Sequence, residues 1–186
     1  MASAFSHALV AVALGESYAR SERGWRFWVL LILCSILPDA DIVGFAFGIE
    51  YGDMLGHRGL THSLAFALLT GCLVVLLAYK DVAPFSKRWW ALSLLFFVVT
   101  ASHGLLDAMT NGGLGVAFFS PFDGTRYFLP WRPIEVSPIG IDPFFSSRGV
   151  EVLKSEMVWI WIPSLFFMLI VRSSRRLLGT HRVQRR

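Results

Sequence analysis

Five apolar runs limit what this chain can fold into. They cover residues 4–19, 25–37, 64–79, 89–106 and 158–171 of a chain that is 55% hydrophobic and 16% charged. A bilayer-crossing helix needs roughly 17–25 mostly apolar residues, because its backbone polar groups must be satisfied within the helix. The runs therefore predict an all-α, polytopic membrane protein of about five helices, in which the first two reach the surface only with help from their flanks.

The segment at 110–157, between the last two runs, is too long to be a simple connection. It is rich in glycine, proline and aromatic residues. We predict an irregular loop that covers the functional site at headgroup depth. The chain is predicted to consist of one transmembrane helical domain, residues 1–172, which includes this loop, and a basic tail, residues 173–186.

Basic residues mark alternate connections and so predict the orientation. They follow the first, third and fifth runs, and they are Arg20, Arg23, Arg26, Lys80, Lys87, Arg88, Arg172, Arg175, Arg176, Arg182, Arg185 and Arg186. The positive-inside rule makes these segments cytoplasmic. The net charge of +4 is concentrated beside the last run, so we expect contact with membrane lipids rather than nucleic acid.

Imidazole and carboxylate groups gather at the other ends of these runs, which predicts that they meet on the outer face. They are His7, Asp39, Asp41, His57, His62, His103 and Asp107. His103 and Asp107 are four positions apart and share one helix face. Imidazole and carboxylate together form the ligand set of zinc and similar divalent ions. The seven residues are therefore candidate metal ligands.

Each of these residues also has a structural explanation. Asp39 and Asp41 can close a turn after Pro38, Thr61 can cap the third run, and Asp107 can orient His103 rather than bind the ion. For a single residue these explanations are slightly preferable. For the whole set a functional site is favoured, because charged groups near bilayer depth are costly and usually functional.

The spacing of these motifs resembles that of a known family. The motifs are Ser6-His7, the LPDAD of residues 37–41, the GHRGLTHS of residues 56–63, the SHGLLD of residues 102–107, Thr110 and Gly112-Gly113. They resemble the YdjM-like family of membrane-bound, metal-dependent hydrolases. The resemblance implies a bacterial or archaeal inner-membrane protein with a metal site at His57, His62, His103 and Asp107, joined by Asp39 and Asp41. Ile42 stands where many relatives have a histidine, which leaves the number of metal ions open.

A looser resemblance links the chain to zinc-dependent phospholipase C and its single-strand nuclease relatives. Those enzymes order their ligands much as His7, Asp41, His57, His103 and Asp107 are ordered here. The later HxxxE half of their site has no counterpart in this sequence. The likeness implies phosphoester chemistry without implying a full three-metal cluster.

The predicted function is a membrane-embedded hydrolase that cleaves a phosphoester or ester linkage of a lipid or lipid-linked amphiphile. Zinc is the expected cofactor, with Mn²⁺ or Mg²⁺ as alternatives, and such an ion lowers the pKa of a coordinated water to about 7. Asp39 or Glu135 is the candidate general base. Arg58 is the candidate phosphate contact, although it can equally clamp a carboxylate or the loop backbone, and Glu135 can be an isolated loop acid.

A non-catalytic metal-binding protein is the alternative, either a transporter or a regulatory partner-binding protein. A transporter needs ionisable residues near mid-span. The third and fourth runs have none between residues 64 and 78 or between 89 and 100. This pattern favours the enzyme.

Overall fold

The regular structure of the chain is helical. A computed structural model describes residues 1–19 and 23–183. The α-helices are α1 (Ala4–Glu16), α2 (Trp25–Ile36), α3 (Leu64–Ala78), α4 (Lys87–Ala108), α5 (Ile141–Phe144), α6 (Ser147–Glu156) and α7 (Ile162–Val183). The prediction of an all-α, polytopic membrane protein is confirmed.

The second predicted run is longer than expected. A 3₁₀ helix, Leu37–Phe47, continues α2, and together they form a candidate span of 23 residues, Trp25–Phe47. Pro38 lies in the first turn of the 3₁₀ helix, where its missing N–H costs no hydrogen bond. The chain therefore changes helix type at Leu37, where the predicted run ends.

The predicted irregular loop, residues 110–157, is helical in its last part. From Ser147 onward α6, a π-helical turn at Met157–Trp161 and α7 follow one another without a gap. Residues 147–156 are too polar to be part of an apolar run, so sequence hydropathy did not reveal them as helix. Ser147–Leu177 and α4 are the other candidate spans, whereas α1 and α3 have only 13 and 15 residues.

Successive long helices run in opposite directions and share one polar end. The first turn of α1, the 3₁₀ helix after α2, the residues before α3 and the last turns of α4 all meet there. Helix α7 runs beside α1 in the same direction, because Trp161 donates to Ser6 at one end (2.8 Å) and Arg172 to Glu16 at the other (2.8 Å). This alternation brings distant motifs to one depth.

Helices α3 and α4 cross at very short range, and α3 presents leucines on its outer side. A Cβ on Gly71 would lie 2.6 Å from the Ser93 carbonyl oxygen of α4. Small residues at such crossings are typical of membrane helix pairs. The exposed leucines of α3 are Leu64, Leu68, Leu69, Leu73, Leu76 and Leu77. A patch of this kind on a helix surface is what a lipid-facing helix shows.

Three of the arginines used for the orientation, Arg20, Arg185 and Arg186, lie outside the described residues. Arg23 pairs with Glu16, and Arg175 donates to the backbone oxygens of Ser17 and Tyr18. The predicted orientation, with a cytoplasmic tail and an outer-face site, therefore stays a prediction.

Candidate metal centre

Four buried side chains point their ligand atoms at one another at the shared polar end. Asp39, His62, His103 and Asp107 each contribute one nitrogen or oxygen, and all four atoms lie within 4.8 Å of one another. The Nε2 atoms of His62 and His103 are 3.1 Å apart. Asp39 Oδ1 lies 3.2 Å from His103 Nε2 and 3.6 Å from His62 Nε2. Asp107 Oδ2 lies 3.8 Å from His103 Nε2 and 3.6 Å from His62 Nε2.

Local structure places these four residues. Asp39 lies in the first turn of the 3₁₀ helix after α2, and His62 ends the short 3₁₀ turn Leu60–His62. Ser63, not Thr61, caps α3 by accepting from the Phe66 N–H (3.1 Å). The Thr61 hydroxyl instead donates to Asp41 (2.6 Å), so the alternative in which Thr61 caps the third run does not apply.

A glycine lets the His62 segment lie directly on α4. A Cβ on Gly104 would lie 2.9 Å from the His62 carbonyl oxygen, closer than a real Cβ tolerates. Gly104 follows His103 in the sequence, and both lie in the last turns of α4. The absence of a side chain at residue 104 therefore brings the two histidines within reach of one ion.

Both histidines are oriented by their second nitrogen. His103 Nδ1 lies 2.7 Å from the Ser35 carbonyl oxygen, which can only accept, so this nitrogen carries the proton. His62 Nδ1 lies 3.2 Å from Asp41 Oδ2. Each ring thus presents Nε2 to the site, and with an ion bound that nitrogen would be the ligand atom, as in a metal-binding histidine.

The spacing and chemistry of the four atoms fit a divalent ion. Ligand atoms about 2.0–2.1 Å from a tetrahedral zinc lie roughly 3.3–3.4 Å from one another. The five separations that involve a histidine nitrogen range from 3.1 Å to 3.8 Å and straddle this value. Both oxygens of Asp39 and Oδ2 of Asp107 are buried without a hydrogen-bond partner, although buried carboxylate oxygens are normally satisfied. A bound cation would engage one oxygen of each residue.

The electrostatics of the site also call for a cation. Three side-chain carboxylates surround the histidines, namely Asp39, Asp41 and Asp107. The guanidinium of Arg58 also lies here, with its Nε 3.2 Å from Asp107 Oδ2. Burial lowers the pKa of His62, but the neighbouring carboxylates of Asp107, Asp39 and Asp41 outweigh it and raise the pKa to about 10. The pocket thus favours positive charge where the Nε2 atoms meet.

Asp41 supports the site from behind. Its carboxylate accepts from the Thr61 hydroxyl and the Arg58 N–H (3.2 Å), and its Oδ1 lies 2.7 Å from His57 Nδ1. Asp41, His57 and His62 are also close enough to hold an ion. Because Asp41 already has three donors, its geometry is that of a carboxylate orienting a metal-binding histidine.

Arg58 forms a clamp beneath the site. Its side chain is fully buried, Nη1 donates to the Gly112 carbonyl oxygen (2.9 Å), and Nη2 donates to the Thr110 hydroxyl (3.0 Å). Its backbone has φ 65°, a conformation that costs a non-glycine residue about 1–3 kcal/mol and is concentrated at functional sites. Of the two roles considered for Arg58, the structure shows the clamp on carboxylate and backbone.

Sequence comparison assigns the chain to a family. Residues 1–178 match the family described as YdjM inner membrane protein. The chain belongs to this family. Inner membrane protein YbcI of Escherichia coli (strain K12) is 35% identical over 177 residues, which cover 95% of this chain and 100% of that protein. No solved structure matches the chain.

The remaining predicted site residues of this YdjM family member are placed as follows. His7 stacks on His103 with ring centroids 3.7 Å apart, and its Nε2 lies 3.6 Å from Asp107 Oδ1, so it borders the four-ligand cluster. Glu135 instead pairs with Arg148 (2.7 Å), and hydrogen bonds with Asn111 and Arg148 lower its pKa. His57 contacts Asp41.

Two participants were not anticipated from the sequence. The Ser35 carbonyl oxygen fixes the His103 ring, and no sequence pattern identifies a backbone acceptor. Glu156 is fully buried beside the first turn of α1. The only available signal was an acidic residue just before the last apolar run.

Proposed function

We propose that this protein is a membrane-embedded, metal-dependent hydrolase with zinc held by Asp39, His62, His103 and Asp107. The observation that carries the proposal is the convergence of two imidazole Nε2 atoms and two carboxylate oxygens on one buried point. A mixed nitrogen and oxygen set suits zinc better than Mg²⁺, which prefers oxygen ligands. When bound, such an ion supplies an activated water and polarises a phosphoryl or carbonyl oxygen.

Asp39 is the proposed general base. Its side chain is 11% exposed, whereas those of His62, His103 and Asp107 are 0% exposed. Water and substrate therefore approach from the Asp39 side. Neither Asp39 oxygen has a hydrogen-bond donor, so Oδ2 is free to take a proton from an attacking water.

The other residues hold this arrangement in place. Asp41 and the Ser35 carbonyl oxygen keep the imidazole protons on Nδ1, which leaves both Nε2 atoms as ligands. Arg58 balances part of the negative charge of Asp107 and ties it to Thr110 and Gly112. Glu135, engaged by Arg148, has less support as a base than Asp39.

A lipid or lipid-linked amphiphile is the proposed substrate. A cavity of about 450 Å³ opens between α3, α4 and the loop after residue 117. Its lining is almost entirely apolar and consists of Leu64, Ala65, Leu68, Phe97, Phe118, Phe119, Ser120 and Phe122. Leu64 is two positions after His62, and its N–H donates to the Phe118 carbonyl oxygen (2.9 Å). None of the four proposed ligands lines this cavity, which adjoins the His62 segment through Leu64, and its lining suits an acyl or prenyl chain.

A paired-substrate assay tests the proposal. Purified protein loaded with zinc is offered phospholipids and polyprenyl phosphates, each in long-chain and short-chain versions. Long chains are expected to give the higher kcat/KM, because each CH₂ kept out of water contributes about 0.8 kcal/mol to binding. Equal kcat/KM for both, or turnover of soluble nucleotides or peptides alone, contradicts the lipid substrate. The variant Asp39→Asn is expected to remove turnover.

A further inference from the structure

Glu156 is a buried acid that the proposed chemistry does not use. It is the last residue of α6, its side chain is 0% exposed, and the π-helical turn Met157–Trp161 follows directly. Turns of this kind occur frequently at functional sites. Burying a carboxylate lowers the stability of the folded protein unless several hydrogen-bond donors contact it.

The donors all come from the first turns of α1. The Ser3 N–H and the Ser3 hydroxyl (2.6 Å) donate to Glu156, and so does the Ser6 hydroxyl (2.8 Å). Ser6 also accepts from Trp161 Nε1 (2.8 Å). Helix α1 has no acidic residue in its own first turn, so Glu156 supplies the negative charge that a helix N-terminus favours.

The same turn of α1 touches the metal centre. Ala2, adjacent to Ser3, donates its N–H to Asp107 Oδ1 (2.7 Å). His7, one turn further on, donates its N–H to the Ser3 carbonyl oxygen (3.2 Å), and its ring stacks on His103. The anchored turn therefore contacts two of the four proposed ligands.

We propose that Glu156 is a positioning residue of the metal centre. By holding Ser3 and Ser6, it keeps the Ala2 N–H on Asp107 Oδ1, so that Asp107 turns Oδ2 toward the histidines. It also holds the His7 ring against His103. The inference rests on the metal site of the proposed function. It adds that a residue of α6 helps to orient two of the proposed ligands.

Cobalt serves as the probe, because its visible spectrum reports the geometry of a zinc site. Wild-type protein and Glu156→Gln are titrated with Co²⁺ in the same detergent, followed by competition with Zn²⁺. Gln removes the negative charge and one of the two acceptor oxygens that Ser3 and Ser6 contact, which weakens the anchor. We expect affinity for both ions to fall roughly 10- to 100-fold, as for other residues that orient ligands, and the cobalt spectrum to change.

Two further variants keep the test decisive. Glu151→Gln is the matched control, because Glu151 lies in the same helix with a side chain 62% exposed and paired with Arg148. It is expected to match wild type. Ser6→Ala removes one donor without introducing a new one, so it tests the anchor if Glu156→Gln fails to fold, and a smaller loss in the same direction is expected.

The outcomes separate the two proposals. Wild-type protein that binds cobalt, with unchanged affinity and spectrum in both Glu156→Gln and Ser6→Ala, overturns the positioning role alone. Wild-type protein that binds no cobalt overturns the metal site and this inference together. Lower melting temperature without a change in the cobalt spectrum shows that Glu156 is merely structural, and it also overturns the positioning role.

Discussion

At the residue scale, the hydrogen-bond partners of the two histidines suit a metal site. Without an ion, the 3.1 Å contact between the Nε2 atoms of His62 and His103 needs a proton between them, and the raised pKa of His62 supplies one. The Ser35 carbonyl oxygen and Asp41 take the opposite nitrogens of both rings. The metal-binding tautomers are thus built into the backbone and into the carboxylates behind the site.

Asp41→Asn tests this arrangement. An amide in place of the carboxylate weakens the partner of His62 Nδ1 and of His57 Nδ1, so zinc affinity should fall roughly 10- to 100-fold. The measurement is competition with a chromophoric chelator. Asp81→Asn is the control, since its side chain is 65% exposed and pairs with Arg88. Equal affinity in the two variants would show that Asp41 does not support a ligand.

Most of the candidate ligands could be predicted from sequence because they lie in short motifs. Asp39, His62, His103 and Asp107 were identified from their residue types and from their positions at the ends of apolar runs. What could not be predicted is their division into inner ligands and supporting residues. That division depends on which oxygen of Asp41 faces Thr61 and on where α1 places His7, and neither is encoded in spacing.

At the element scale, the alternating directions of the helices bring the proposed ligands to one end of the helices, as the pattern of apolar runs predicted. The helix limits were less predictable. Leu37–Phe47 is apolar enough to extend the second run, but a proline such as Pro38 is unfavourable inside an α-helix, so the predicted run ends at Leu37. The apolar runs did not predict helix α6, because it is a short amphipathic helix with a polar face.

The close crossing of α3 and α4 yields an element-scale prediction. Gly71→Ala places a methyl group 2.6 Å from the Ser93 oxygen, so the helices must separate, and we expect a loss of about 1–3 kcal/mol. The melting temperature in detergent reports it. Gly52→Ala is the matched control, because no atom lies within 4 Å of its Cβ position. Similar melting temperatures for the two variants would contradict the tight crossing.

A second glycine on α4 connects packing with the metal site. Gly104→Ala would press on the His62 carbonyl oxygen at 2.9 Å and move that ligand. Its expected effect is weaker zinc binding with a smaller loss of melting temperature than Gly71→Ala shows. Unchanged zinc affinity would mean that the His62 segment adjusts without moving its ring.

At the scale of the whole molecule, membership of an inner membrane protein family and the exposed apolar helices place the chain in a bilayer. The orientation is predicted from arginine and lysine alone. The tail after residue 172 should be cytoplasmic, and the loop that contacts the metal centre should face outward.

Labelling of single cysteines tests this orientation. Cys34 and Cys72 are first replaced by alanine, and one cysteine is then placed at Phe122, which is 90% exposed in the loop, or at the exposed Ser174 of α7. An impermeant maleimide added to intact cells should label residue 122 and spare residue 174. Labelling at 174 with protection at 122 would reverse the topology.

The most direct measurement of the central claim is the metal content of the purified protein. Elemental analysis of wild type should find about one tightly held divalent ion per chain, most of it zinc. The double variant His103→Ala, Asp107→Ala should hold none, while the variant Asp81→Asn should match wild type. Hydrolytic activity should follow metal content across the three. An active wild-type protein without metal, or a double variant that retains the ion, would contradict the account.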